Sequence, residues 1–315
     1  MSFLKALLEV FQITVPIFII IAAGFLIRKI KLINDEGVSL LNRLAYNIGL
    51  PALFFLNITE YKLSEIFNID IIKVMYSAYG IYFIILVFLS FFIKRSKKTR
   101  GAFIVASFRC NMAFVGLPIV WAAYGSLALA RASLVIAFLV PINIISTMLI
   151  FKLFNRGEEG LDVKKLMRSF ATDPIIIATI LGIIFSYFGL GFPGFIHDSL
   201  DIMSGMTVAV ALLSIGASFR FDHLKDDLKT VSYISFNKLI LLPAIVFMIA
   251  TFIYEIDTFD RNVMVILFAT PLAVAAYIMA KELRSNYNLM ASVLIFTTII
   301  SALTISGWLL VFKFL

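Results

Sequence analysis

The sequence predicts an all-α membrane protein with ten transmembrane helices, arranged as two five-helix halves of opposite orientation. Three observations carry that expectation. The chain is 62% hydrophobic and only 15% charged over 315 residues, against roughly 45–50% and about 25% in soluble domains. Its apolar residues come in blocks of about 20, the helical length that crosses a hydrocarbon core of about 30 Å. Its basic residues gather in the short connections, mainly in every second one.

Residues 8–27 form the first expected span. Lys5 and Glu9 lie in its approach, and its apolar run is too long for a signal-peptide core, so it reads as a retained helix. Spans at 37–58, 70–93, 101–124 and 127–151 complete a first half, residues 1–151. A polar stretch at 152–172, KLFNRGEEGLDVKKLMRSFAT, reads as a cytoplasmic linker. Spans at 173–190, 196–219, 230–254, 261–280 and 289–312 make the second half, residues 173–315. No stretch outside these blocks is long enough for a separate soluble domain. One membrane domain is expected.

Of the 27 lysines and arginines, 18 lie in connections after odd-numbered spans and 6 on the opposite side. The other three, Arg43, Arg109 and Lys238, fall inside spans. The bias puts the odd connections in the cytoplasm and both termini outside a cell membrane. Five spans per half is odd, so the second half enters from the opposite side, a construction used by secondary transporters. Two local matches agree with such a repeat. PIFIIIAAG at Pro16–Gly24 parallels PIIIATILG at Pro174–Gly182, and PIVWAAY at Pro118–Tyr124 parallels PLAVAAY at Pro271–Tyr277.

Composition also excludes. The net charge of +8 sits in membrane-flanking loops, not on a folded basic face, so nucleic acid is not an expected partner. The single cysteine, Cys110, rules out an internal disulfide and a cysteine metal cluster. His197 and His223 lie far apart, and no metal site is expected from them. No span carries a mid-membrane Asp or Glu, which argues against a buried-carboxylate ion relay. Phosphate-loop and serine-elbow motifs are absent, so neither ATP hydrolysis nor catalysis is expected.

The candidate site comes from proline. Pro118 in span 4 and Pro271 in span 9 each lack the N–H that would bond the carbonyl four residues back, at Phe114 and Leu267. Gly116 makes local unwinding easier. Breaks of this kind survive in a bilayer only within protein or beside water. The stretches around Gly116 and Thr270 are therefore expected to face each other across a wet hollow near the midplane, with half-helix N-termini that favour anions.

Asn111 lies seven residues before Pro118, on the same helix face, and can donate to a carboxylate. Arg109 either neutralises an anion or snorkels to the cytoplasmic interface. Asn47, four residues before Pro51, either meets backbone there or touches ligand. Asn143, two after Pro141, is a candidate for the cavity wall. Asn237 and Lys238 in span 8 are either interior or snorkelling.

The stretch RCNMAFVGLPIVWAAYG in span 4 resembles the auxin efflux carrier family, whose fourth helix carries an asparagine, then glycine and proline, then a tyrosine–glycine ending. ATPLAVAAYIMAKEL in span 9 is similar to that family's second signature, matched here by Pro271, Ala280, Lys281, Glu282 and Leu283. NRLAYNIGLPALFF and LLSIGASF are similar to its second and seventh helices, and the likeness runs the length of the chain. It implies a ten-helix inverted repeat with broken, crossing helices 4 and 9, a scaffold and a transport domain, and elevator-like motion. It also implies a carboxylate held at the crossover by asparagine, which maps to Asn111. Helix 9 lacks the partner asparagine, and a phenylalanine near Phe54 replaces an expected serine. Those departures point away from the plant substrate, and the compact central loop points toward a microbial permease.

The resulting expectation is a secondary transporter of small organic anions such as malate-like dicarboxylates or auxin-like monocarboxylates. A membrane-embedded carboxylate receptor and a sodium-coupled symporter are the alternatives. No cofactor is expected beyond a coupling ion, H+ or Na+, and homodimerisation stays open.

Overall fold

The computed structural model describes residues 2–155, 168, 170–220 and 227–315. Of the expected linker, 156–167 and 169 lie outside the described residues, and so does His223. Among the described residues helix accounts for nearly all regular structure, and the exception is an antiparallel bridge between Cys110 and Leu272.

The chain opens with α1 (Phe3–Lys29), capped by the Ser2 hydroxyl. Next come α2 (Asp35–Leu44), a widened π turn (Ala45–Gly49) and α3 (Leu50–Thr59), in one nearly continuous rod. A short α4 (Leu63–Ile66) leads to α5 (Ile69–Phe91). The half-helix α6 (Lys97–Phe108) stops at Arg109–Asn111. A second π turn (Met112–Gly116) then starts α7 (Leu117–Asn155), which kinks at Gly125, φ 79°. Only glycine takes that left-handed conformation without steric cost.

After the linker follow α8 (Pro174–Phe188) and α9 (Gly194–Ala217). α10 (Leu228–Phe236), a third π turn (Asn237–Leu241) and α11 (Leu242–Phe252) form another rod. The half-helix α12 (Thr258–Phe268) stops at Ala269–Ala273 before α13 (Val274–Glu282), and α14 (Tyr287–Phe312) closes the fold.

Helix starts follow side-chain chemistry. Asn34, Asn68, Ser96, Asp173, Asp227, Asp257 and Asn286 each accept a backbone N–H of the first turn they precede. Such caps satisfy donors that the helix itself leaves open.

Among the described residues, six helical stretches are long and apolar enough to cross a membrane, and α8 is a shorter apolar one. Large apolar side chains such as Ile19, Ile84, Leu153, Tyr187, Ile202 and Leu303 face outward. A water-soluble protein could not expose so many, whereas a bilayer solvates them.

Packing separates two groups. α1, α2, α3, α8 and α9 hold mainly to one another, while α5–α7 and α10–α14 form the larger group. α1 and α9 meet backbone to backbone at glycine, since a Cβ at Gly24 would lie 2.1 Å from the Leu213 carbonyl oxygen, and one at Gly216 1.8 Å from that of Ile21. The most enclosed elements are the two half-helices. Every residue of Gly101–Phe108 and of Asp260–Phe268 is buried.

Candidate functional site: the crossing of two broken helices

The interruption after α6 and the one after α12 lie against each other. The Asn111 N–H donates to the Pro271 carbonyl at 2.8 Å, and the Ala273 N–H donates to the Arg109 carbonyl at 3.1 Å. These two bonds flank the Cys110–Leu272 bridge, a fragment of antiparallel ladder inside a helical protein. The Leu272 N–H donates to the Thr297 hydroxyl of α14 at 3.1 Å. Pro271 fits because the join uses its carbonyl and never the N–H it lacks. Thr270, fully buried, returns its hydroxyl to the Leu267 carbonyl at 2.7 Å.

The position of the first break differs from the sequence expectation. Span 4 is interrupted at Arg109–Asn111, seven residues ahead of Pro118, and Pro118 lies in helix. The reason is visible in three places. Leu50, Leu117 and Leu242 each bond the carbonyl five residues back, at Ala45, Met112 and Asn237, and each precedes a proline. Widening the turn by one residue clears the ring that would otherwise strike the carbonyl four back. These prolines loosen a helix without opening it. Opening occurs where a second interruption can pair the released groups, as an apolar medium requires.

Gly116 contributes closeness. A Cβ there would meet Leu267 Cδ2 at 3.0 Å and Thr270 Cγ2 at 3.2 Å. The stretches around Gly116 and Thr270 are therefore in contact.

Two polar side chains of the join, Arg109 and Asn111, bring donors into this otherwise largely apolar surrounding. Arg109 is 9% exposed and Asn111 5%, and the Arg109 Nε and Asn111 Nδ2 make no hydrogen bond within the protein. Arg109 has Tyr79, Tyr46 and Cys110 as electrostatic neighbours, with no carboxylate in a salt bridge to it among the described residues. It is enclosed, not snorkelling. Tyr46 donates to Asp173 at 2.8 Å, while the other Asp173 oxygen caps α8 through the N–H groups of Ile175 and Ile176. Asn143 is 8% exposed with an unpartnered Oδ1. It lies one turn from Ser146, which faces Tyr79.

Asn47 is not brought to this place. It is exposed, and its amide bonds the Arg43 carbonyl at 2.9 Å inside its own widened turn. Lys238, left undecided between interior and interface by sequence, is fully buried, with its ammonium 3.3 Å from Cys110 Sγ. Tyr82, unremarked in the sequence reading, ties the Ser107 carbonyl at 3.3 Å to the Asn237 carbonyl at 3.0 Å. A phenol near the middle of an apolar span was the available signal for it.

The chain is similar in sequence to several transporters. An uncharacterized transporter of Methanocaldococcus jannaschii is 26% identical over 308 residues, covering 95% of this chain and 98% of that protein. One of Methanothermobacter thermautotrophicus is 25% identical, covering 94% and 96%. A Rhizobium meliloti protein named "Putative malonate transporter" is 20% identical, covering 96% and 95%. The model of the "Membrane transport protein" family matches residues 9–309. With its apolar helices, that match makes this a multi-pass membrane protein of a transporter family. The chain thus belongs to the membrane transport protein family, that of the auxin efflux carriers.

Proposed function

We propose that the chain is a secondary transporter of small carboxylates, working by alternating access with an elevator-like displacement of one helix group against the other. The observation that carries this reading is the main-chain join of two buried, interrupted helices, ringed by the unpartnered donors of Arg109 and Asn111. A buried donor without a partner costs about 1–3 kcal/mol, and a bound carboxylate would accept from both. The malonate in the name of the Rhizobium meliloti relative is of that chemical class.

A ten-span inverted repeat is supported by two features. The 44 residues from Met112 to Asn155 would extend about 66 Å as helix, roughly two hydrocarbon thicknesses, and are kinked at Gly125. Each half of the chain also sends its first helices, α1–α3 and α8–α9, to one group and its later helices to the other. On this reading residues 1–151 and 173–315 are the repeats, and the basic loops face the cytoplasm of a cell membrane.

The test is counterflow of radiolabelled malonate in proteoliposomes. Because Arg109 and Asn111 build the join through backbone atoms, Arg109→Ala and Asn111→Ala remove the donors and spare the scaffold. Saturable exchange accelerated by malonate on the far side is expected for the wild type and absent from both variants. Binding without such acceleration identifies a receptor. Undiminished exchange in both variants removes this site.

A further inference from the structure

The deepest charge among the described residues is one that the anion site does not use. Lys238 is 0% exposed, and no salt bridge joins it to a carboxylate among the described residues. Its ammonium meets Cys110 Sγ at 3.3 Å. The same sulfur lies 3.4 Å from the Phe108 carbonyl and 3.4 Å from the Phe268 carbonyl, the last residues of α6 and α12. Two half-helices of 12 and 11 residues thus direct their C-terminal ends at one point. Such ends carry partial negative charge and attract cations. In carriers with interrupted helices they hold a coupling ion.

We propose that Lys238 is a tethered cation, filling the place where the ends of α6 and α12 would otherwise bind a free monovalent cation. The third π turn (Asn237–Leu241) presents the side chain there, and Tyr82 fixes that turn to Ser107 of α6 through the Asn237 carbonyl. The consequence for transport rests on the carrier reading above: carboxylate movement requires no sodium. The cation site itself does not depend on that reading.

The experiment therefore has two arms. In the first, the full chain is purified in detergent and melted in equal concentrations of sodium, potassium, methylammonium or choline chloride. The wild type melts alike in all four. Lys238→Ala melts lower in choline and is restored, saturably, by sodium or methylammonium. A cation at about tenfold its Kd stabilises by about 1.4 kcal/mol and so raises Tm by about 2 °C. Lys238→Met fills the space without charge, so it melts below the wild type and ignores the salt.

Equal melting of Lys238→Ala in all four salts overturns the proposal, and so does wild-type stability of Lys238→Met. Should Lys238→Ala not fold, the Lys238→Met result decides alone. In the second arm, wild-type malonate counterflow is equal in sodium and choline, and a sodium requirement overturns the proposal. Should the wild type move no malonate at all, the carrier reading fails while the melting arm still judges Lys238.

Discussion

Replacing Gly216 by alanine tests the contact on which the smaller helix group is built. The added Cβ would stand 1.8 Å from the Ile21 carbonyl oxygen and 2.8 Å from the Phe25 nitrogen, where ordinary contact begins at 3.4 Å. Both obstacles are backbone, so no rotamer change relieves them. α1 and α9 must part by about 1.6 Å, and a gap of 0.5–1 Å already forfeits about a quarter to a half of each dispersion contact. Overpacking of this kind costs about 1–3 kcal/mol. The upper end applies here, because the reciprocal contact of Gly24 with Leu213 opens as well. Alanine's better helix propensity returns up to about 1 kcal/mol, leaving a net loss of about 2 kcal/mol. Gly205 lies on the same helix with nothing within 4 Å of its Cβ position, so Gly205→Ala experiences the propensity gain alone. In thermal melts of purified protein, Gly216→Ala should fall by several degrees, while Gly205→Ala holds or rises. Equal shifts in the two variants would refute the argument from backbone contact.

The remaining predictions concern the join and the Arg95–Asp227 ion pair. Thr297→Val removes the acceptor of the buried Leu272 N–H while keeping volume. It should cost about 1–3 kcal/mol and speed amide exchange at Leu272, and an unchanged melt would show that this N–H finds another partner. The hydrogen-bonded Arg95 guanidinium holds the Asp227 carboxyl at about 2, below its ordinary 3.8, with help from Thr230. A depressed carboxyl stabilises the fold above its unfolded value and ceases to as pH falls through the folded one. The gap in stability between wild type and Asp227→Asn should therefore be constant above about pH 5 and close toward pH 2. Arg95 is more than half exposed, so screening keeps that gap to about 1 kcal/mol or less. A gap that widens on acidification contradicts the assignment.

Much of the helical layout was legible because hydropathy and capping are local. The expected spans fall on helical segments, and an edge such as Phe3 instead of residue 8 moved because Ser2 caps α1. The helix 9 interruption was legible from Pro271, which lies within it. The helix 4 interruption was misplaced because Pro118 is the visible disturbance, whereas the break belongs to Arg109–Asn111, whose backbone groups are matched 160 residues away in sequence. Pairing over such a separation leaves no local trace. The same holds for Lys238. An isolated lysine in an apolar span reads equally as buried or snorkelling until its neighbours, Cys110 and the ends of α6 and α12, are in place. Asn47 was open between backbone and ligand, and its exposure depends on which face of its rod the neighbouring helices cover.

The miniature ladder at Cys110 and Leu272 is built entirely from peptide groups. Residues 109, 111 and 273 keep their place there whatever their side chains, and position 271 can remain proline. Evolution is thereby free to exchange the chemical alphabet displayed at this spot without dismantling the frame that displays it. One knot of main chain can therefore stay unchanged while every side chain around it differs.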